Sequence, residues 1–476
     1  MDAQLSLEEK SIRRAFHVLC LGVLFVVLAQ ATHIAAYPKM LEAFELGPGY
    51  SVWMQLGFAL GLTGFQPFFG WVGDSYSQKV VILIGSALLV IGAVLVAVAP
   101  FFWVLVVGLF IKGVAGSAVI PAGFTYAGKF FKNEKRGKAL GIFGFYSVIG
   151  GVIGPLLSGT FVDSMGWSSI FWLCAALGVV TFVIFAAWIP VVKGDKPESF
   201  DFLGVVFVIF ILLGLLSIPT FINNYGVSSM MWTPSLGLFA LSFLILIWLE
   251  RKRKEPLLDI EYAANRNFWV ISIIAVLMFV TFSSVMYILT FFIQDIQGKS
   301  STVVGLLQMP LFISMAIANL LCGRWMSKFS ARSLIGASIA ILVTGSGMLA
   351  FVNLNTSFLY LFFAMSFIGT GIGLVGPALR GVVLSKANAA RMGVVTFTYT
   401  LIENASQRVG ASFGLVAFAL FAAGGNAVAA MSKTALALTI FSALAFLFLF
   451  LIPKKVTGFK KSDQATDTNV VGGKTI

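Results

Sequence analysis

The stretch GGVIGPLLSG, residues 150–159, lies within a long apolar run and decides how the rest of the chain is interpreted. Small residues recur in it every four positions, and a proline stands among them. This spacing gives a membrane helix a bare face on which a neighbouring helix packs closely, and proline kinks such a helix. The stretch therefore predicts a helix-packing seam. Its small residues and its proline are Gly150, Gly154, Pro155, Ser158 and Gly159.

The composition predicts an integral membrane protein. Hydrophobic residues make up 59% and charged residues 11% of the 476 residues, and the mean hydropathy is +0.97. These values leave too little polar surface to cover a soluble protein of this length. The net charge of +13 does not indicate nucleic acid, because the basic residues form short clusters between apolar runs. Loops that face anionic lipid have this pattern.

Apolar runs of about 20 residues, the length that crosses a bilayer, recur along the chain. Their even number places both termini on one side of the membrane. The fourteen predicted runs are 17–37, 51–72, 80–99, 102–126, 139–161, 167–192, 202–223, 230–249, 269–292, 303–325, 333–353, 357–379, 393–422 and 433–452.

The distribution of Lys and Arg predicts which side is cytoplasmic. With the N-terminus inside, 27 of the 32 basic residues fall in inner segments and three in outer loops, and the other two lie within runs. Positively charged loops are retained in the cytoplasm. We therefore predict a multi-pass protein of the bacterial inner (plasma) membrane with both termini cytoplasmic.

Two loops of similar sequence indicate an internal repeat. GWVGDSYSQK at 70–79 and GRWMSKFSAR at 323–332 are 253 residues apart (323 − 70), and Pro121 matches Pro377 at an offset of 256. Duplicated halves around a central site are the architecture of alternating-access transporters. We predict an N-terminal tail at 1–16, a six-helix half at 17–192, two inserted helices with their loops at 193–266, a second six-helix half at 267–453 and a disordered tail at 454–476.

These features together resemble the major facilitator superfamily and, within it, the fourteen-span drug:proton antiporter family. The pattern Gly70-x-x-x-Asp74 with Lys79 resembles the superfamily's loop between spans 2 and 3. Residues 150–159 resemble the span-5 antiporter motif GxxxGPxxGG. The resemblance implies an all-α major facilitator fold with 14 transmembrane helices, made of two six-helix halves plus two inserted helices. It also implies that loop residues gate the cavity: Gly70, Asp74, Lys79, Gly323 and Arg332.

Four ionisable residues lie inside the apolar runs: His33, Lys112, Glu403 and Arg408. A charge at mid-bilayer costs about 3 kcal/mol or more, so each is a candidate for proton coupling or substrate binding. Glu403 is ten residues beyond Gly393 and therefore about 15 Å deep. It can exchange a proton, or it can form an ion pair that fixes helix packing. Lys112 can bind an anionic group of the substrate or pair with Glu403, and His33 can titrate or simply accept hydrogen bonds.

The function predicted from these features is secondary active export of small amphipathic drugs or metabolites, driven by protons and not by a cofactor. An uptake symporter of a small, even anionic, metabolite is the first alternative, because no acid stands in the first run. A membrane receptor that has lost transport is the second. The three cysteines have no metal-ligand spacing, and no phosphate loop or catalytic constellation is present, so neither a metal site nor an enzyme is predicted. We expect a monomer whose partners are its substrate, protons and the lipid bilayer.

Overall fold

The computed structural model describes residues 2–46, 50–131, 133–191, 201–225, 229–252, 266–298, 301–386, 392–422 and 426–452. Every regular element in these ranges is a helix. The helices are α1 (Asp2–Ala31), α2 (His33–Ala43), α3 (Ser51–Gly64), α4 (Gln66–Ser75), α5 (Gln78–Ala97), α6 (Phe102–Phe130), α7 (Asn133–Met165), α8 (Trp167–Trp188), α9 (Phe202–Tyr225), α10 (Thr233–Lys252), α11 (Arg266–Phe291), α12 (Ser301–Trp325), α13 (Ala331–Leu349), α14 (Phe358–Lys386), α15 (Met392–Ala422), α16 (Ala427–Ala443) and α17 (Ala445–Leu449). A π-helical turn, Phe292–Ile296, extends α11.

Eleven stretches of the described residues are helical, long and apolar enough to cross a membrane. The predicted runs outside this set are 51–72, 202–223 and 230–249. The first is divided into two helices, and the other two contain the shorter apolar helices Phe202–Ile218 and Thr233–Leu249. The total of fourteen therefore stays a prediction. The predicted tail at 1–16 is helical from Asp2, and the tail at 454–476 lies outside the described residues.

Two of the predicted runs are interrupted rather than continuous. The second run breaks at Phe65, between α3 and α4, because Pro67 near the start of α4 has no N–H to continue the helical hydrogen bonding. The first run breaks at Thr32, whose hydroxyl donates to the Ala29 carbonyl at 2.9 Å. A side chain that bonds the local backbone competes with the helical pattern. Broken membrane helices of this kind often lie beside binding sites.

The helices repeat along the chain as the loops do. α6 and α14 are both 29 residues long, begin 256 residues apart (358 − 102) and each contain a proline, Pro121 and Pro377. In the first half α7 packs on α1, and in the second half α15 packs on α11. The predicted boundaries of the halves stay a prediction, but the spacing of the helices agrees with duplication.

The halves meet through two pairs of helices that the repeat relates to each other. α4 packs on α15, and α7 packs on α12. We call the face of the molecule that carries Asp74 the inner face, following the predicted orientation, and the opposite face the outer face. On the outer side, the Gln55 amide donates to the Tyr287 hydroxyl at 3.4 Å and links α3 to α11.

The inserted helices α9 and α10 pack on each other, and α9 alone reaches both halves. Val208 and Leu212 of α9 are buried in a cluster with Leu60 of α3 and Leu401 of α15. The insertion therefore covers one junction of the two halves.

The small residues of the opening stretch form the seam between α7 and α1. A Cβ on Gly150 would lie 2.6 Å from the Leu24 carbonyl oxygen, and one on Gly154 would lie 2.8 Å from the Leu28 carbonyl oxygen. The Ser158 hydroxyl donates to the Thr32 carbonyl at 2.6 Å, next to the break in the first run. The predicted packing seam is therefore present at these three residues. Pro155 and Gly159 also belong to α7, but the structure does not describe what surrounds them.

We expect Gly154→Ala to destabilise the protein, since the added methyl group would press on backbone atoms of α1. Overpacking of this kind typically costs about 1–3 kcal/mol. The measurement is the thermal unfolding midpoint of the purified protein in detergent.

Gly151→Ala is the matched control in the same motif, because its Cβ would meet only Val27 Cγ1, at 4.0 Å. Replacing a helical glycine with alanine in open space should raise the midpoint. A midpoint that rises equally in both variants would contradict a rigid seam.

Candidate functional site

Asp74 joins the two halves at the inner face. It stands near the end of α4 and accepts hydrogen bonds from the backbone N–H groups of Gly393, at 3.0 Å, and Val394, at 2.8 Å. These are the first N–H groups of α15, so the carboxylate binds the positive end of that helix. Lys129 at the end of α6 donates to the same carboxylate at 2.8 Å. One carboxylate therefore ties together three helices from both halves.

Glycines allow the close approach that this contact needs. A Cβ on Gly70 would lie 3.1 Å from the Val394 Cα, and a Cβ on Gly393 would lie within 2.5–2.6 Å of the Asp74 carboxylate atoms. On the symmetry-related side, a Cβ on Gly141 of α7 would lie 2.9 Å from the Gly323 Cα of α12. The inner face is thus closed by backbone packing at both helix pairs.

The two basic loop residues behave alike, but each contacts only its own half. Lys79 donates to the Ala186 carbonyl at 2.7 Å, near the end of α8. Arg332 donates to the carbonyls of Phe450, at 2.8 Å, and Ile452, at 2.5 Å, after the last helix. A cation at a helix C-terminus is favourable. Neither residue reaches the opposite half here, so the Asp74 contact between the halves forms without them.

Glu403 is paired with Arg380 inside the protein. The Arg380 Nη2 donates to the Glu403 Oε2, and their side chains are only 15% and 3% exposed. The guanidinium also lies 3.6 Å from the ring centroid of Phe124, which belongs to the other half. Tyr399, one helical turn before Glu403, is fully buried and interacts with the carboxylate. The pair therefore sits where α6, α14 and α15 meet.

Arg380 is the site residue that the sequence interpretation missed. The predicted run 357–379 ended just before it and assigned it to an inner loop, whereas α14 continues to Lys386. The repeat carries the signal, because the offset of Pro121 and Pro377 places Arg380 over Phe124 (380 − 124 = 256), well inside α6. The alternative that Glu403 pairs with Lys112 is wrong in this structure, since Arg380 takes that place.

Lys112 lies within the first half, behind the break in the first run. It is fully buried, its Nζ donates to the Thr32 hydroxyl at 3.3 Å, and it stands 5.0 Å from the ring centroid of Phe171. Cys174 Sγ contacts the same hydroxyl at 3.3 Å. Because α1 ends at Ala31, the ammonium lies near the negative end of that helix, where a cation is favourable.

Arg408 and His33 come together at an aromatic cluster nearer the outer face. The Arg408 guanidinium lies 5.8 Å from the ring centroid of Phe58, and the His33 ring lies 4.0 Å from the same ring. The Tyr37 ring lies tilted beside the His33 ring, with their centroids 5.5 Å apart. Arg408 belongs to α15 of the second half and the three rings to the first half. The structure therefore groups His33 with Arg408, and Lys112 also acts electrostatically on His33 from within the first half, whereas Glu403 lies in different surroundings.

Metal binding has no support among the described residues, in which no group of three or more His, Cys, Asp and Glu side chains lies together. The three cysteines are buried and separate. What the arrangement offers is an interface between two halves that carries charged side chains, which suits the binding of a small molecule.

Comparison with known proteins agrees with this architecture. The family model of the Major Facilitator Superfamily matches residues 19–411. The multidrug transporter protein MdtP of Bacillus subtilis is 26% identical over 87% of this chain and 76% of its own length.

Two solved structures share the fold. The human organic anion transporter MFSD10 matches with a TM-score of 0.69 at 16% identity, covering 93% of this chain and 99% of its own. The proton:xylose symporter XylE matches with a TM-score of 0.63 at 14% identity, covering 95% and 98%. The family match covers most of the chain, and the protein is a multi-pass membrane transporter and not an enzyme. The chain belongs to the Major Facilitator Superfamily.

Proposed function

We propose that this protein is a proton-coupled antiporter of the fourteen-span drug:proton type, which exports small amphipathic drugs or metabolites by alternating access. The observation that carries the proposal is the Arg380–Glu403 pair at the junction of the halves. Multidrug transport by relatives such as MdtP supports export. We place the inner face in the cytoplasm of a bacterial cell and expect a monomer.

Glu403 is suited to carry the proton. Its carboxyl group is buried, and in the described interior helices it is the acid that lies well away from either face. Arg380 holds the charged form in the present arrangement, while the contact with Phe124 ties the pair to the other half. Movement of the halves would separate Arg380 from Phe124 and change how well the carboxylate is stabilised. Proton binding at Glu403 and rearrangement of the halves are thereby coupled.

The inner face supplies the second element of alternating access. Asp74, Lys129 and the N-terminus of α15 form a contact that must open before the cavity reaches the cytoplasm. Opening also separates Gly70 from Val394 and Phe397, so some buried apolar surface is exposed there. The seam of α7 on α1 stays within one half and is expected to move as a unit.

Uptake symport is the alternative on the same fold. XylE is a proton:xylose symporter, and the first run of this chain has no acid. Export and uptake differ in the direction of the response: an exporter moves substrate against the inward proton flow, and a symporter moves it with that flow. A receptor that has lost transport would show neither response.

We predict that Glu403→Gln abolishes drug-induced collapse of a pH gradient in everted membrane vesicles, because glutamine cannot take up or release the proton. The measurement uses a panel of amphipathic drugs and a fluorescent pH probe. Glu42→Gln is the matched control, since Glu42 is exposed near the outer face and pairs with Lys39, which is exposed as well. An undiminished response in the Glu403 variant would remove it from the coupling scheme.

We predict that Arg380→Gln destabilises the protein by about 3–5 kcal/mol, because it leaves a buried carboxylate without its partner. The double variant Arg380→Gln/Glu403→Gln should recover most of that loss, since it removes both charges. Unfolding of the purified protein in denaturant measures Arg380→Gln, Glu403→Gln and the double variant. Equal stability of the single and the double variant would show that the two side chains are not coupled.

We predict that Asp74→Asn speeds amide hydrogen exchange at residues 392–396 by about tenfold, which corresponds to about 1.4 kcal/mol of lost helix N-terminal stabilisation. The physical reason is that the neutral amide no longer offers two charged oxygens to the N–H groups of Gly393 and Val394.

Lys79→Met is the control for this exchange measurement. It removes a charge from the same inner loop, but its contact is to Ala186 within its own half. The rate of amide exchange at residues 392–396 in Lys79→Met should match the rate in the unmodified protein. An equal acceleration in both variants would indicate a general effect of inner-face charge and contradict a specific contact between the halves.

A further inference from the structure

The described interior of the protein holds more positive than negative charge. Arg380 neutralises Glu403, and Lys112 and Arg408 have no carboxylate partner among the described residues. Arginine and lysine inside a membrane protein are rare and normally face a partner or a water-filled cavity. The proton-coupling scheme does not explain why these two cations lie in the interior without a carboxylate partner.

The two cations occupy different surroundings. Lys112 is fully buried in the first half, with the Thr32 hydroxyl and the Phe171 ring as its contacts. Arg408 is only partly buried and extends from α15 of the second half towards Phe58 of the first half. Of the two, Arg408 is the one that lies at the interface between the halves, where a substrate would pass.

A second observation at the same place also points to a ligand. The Tyr37 hydroxyl is buried without a hydrogen-bond partner, since Tyr37 is only 8% exposed, and the His33 ring, 2% exposed, lies beside it. Both residues interact electrostatically with Arg408. Buried polar groups are normally satisfied, so an unpaired hydroxyl at the junction of the halves points to a ligand group that binds there.

The hydrogen-bonding groups of these residues favour a ligand with a negative charge. The guanidinium of Arg408 offers only donors, in a fork that fits two oxygens of one anionic group. The Tyr37 hydroxyl adds a further donor, and none of the described carboxylates lies in the cluster. The rings of Phe58 and Tyr37, which are 3% and 8% exposed in this arrangement, are the apolar groups beside the donors.

We propose that the transported substrates are organic anions, whose carboxylate, sulfonate or phosphate group binds Arg408 and Tyr37 while their apolar body packs against Phe58. This inference rests on the proposed transport function, because it places the ligand in the cleft between the halves. A bound anion neutralises Arg408, so the loaded site carries less unpaired charge through the membrane than the empty one. A cation would be repelled by Arg408 and by nearby Lys112.

The test compares matched ring compounds of different charge on the purified full-length protein in detergent. The anionic probes are 2-naphthoate, 2-naphthalenesulfonate and 2-naphthyl phosphate, the neutral probe is 2-naphthamide, and the cationic probe is 2-naphthylmethylammonium. Calorimetry gives the binding constants. We expect at least one anion to bind at least tenfold more tightly than the amide or the cation.

Variants of Arg408 test whether this residue causes the preference for anionic probes. Arg408→Gln should reduce anion binding at least tenfold and leave amide binding unchanged, whereas Arg408→Lys should retain part of it, since lysine keeps the charge without the fork. Lys433→Gln removes an exposed charge near the outer face and should leave all constants unchanged. Thermal unfolding confirms that each variant is folded.

The outcomes separate this inference from the proposed function. Absence of anion binding, or equal losses for all three probe charges in Arg408→Gln, would overturn the inference even where drug-driven proton movement is intact. Anion binding that depends on Arg408 supports it. If the bound anion then fails to move with a pH gradient in proteoliposomes, proton-driven export is wrong and the anion site stands.

Discussion

The cost of charge in an apolar interior is the constraint on which this structure depends. An interior charge is tolerated only with a partner, a helix end or a polar cavity beside it. Glu403 has Arg380, Lys112 has the end of α1, and Asp74 has the start of α15 and Lys129. Each of these solutions also fixes the position of a helix. The packing of the helices and the positions of the charges therefore depend on each other.

The repeated halves share their packing but differ in their charges. A Cβ on Gly154 would meet α1, and a Cβ on Gly410, 256 residues later (410 − 154), would meet Val280 and Ser283 of α11. The Ser158 hydroxyl bonds the Thr32 carbonyl, and the Ser284 hydroxyl bonds the Gly410 carbonyl. The second half places charges on α14 and α15 where the first half keeps apolar or small side chains. The two halves therefore share their helix packing, and the candidate site residues lie at positions where the halves differ in sequence.

The contact of Arg380 with Phe124 lies near the axis that relates the two halves. The two residues are equivalent positions of the two halves, and equivalent positions can touch only near the axis that relates the halves. A pair at this axis responds directly to their relative movement. This is the physical reason that Glu403, held by Arg380, is a better candidate for coupling than a carboxylate buried within one half.

The sequence by itself determined the membrane class, the family resemblance, the seam at residues 150–159 and the interior positions of Glu403, Lys112, His33 and Arg408, because composition and spacing along one helix express these features. The partner of each charge was decided only by the tertiary structure. Arg380 lies 23 residues from Glu403 and was placed in a loop, since apolar runs do not show where a helix ends beyond its hydrophobic part. Likewise, Asp74 meets residues more than 300 positions away. Contacts of that kind depend on how separate helices pack, which no single segment of the sequence encodes.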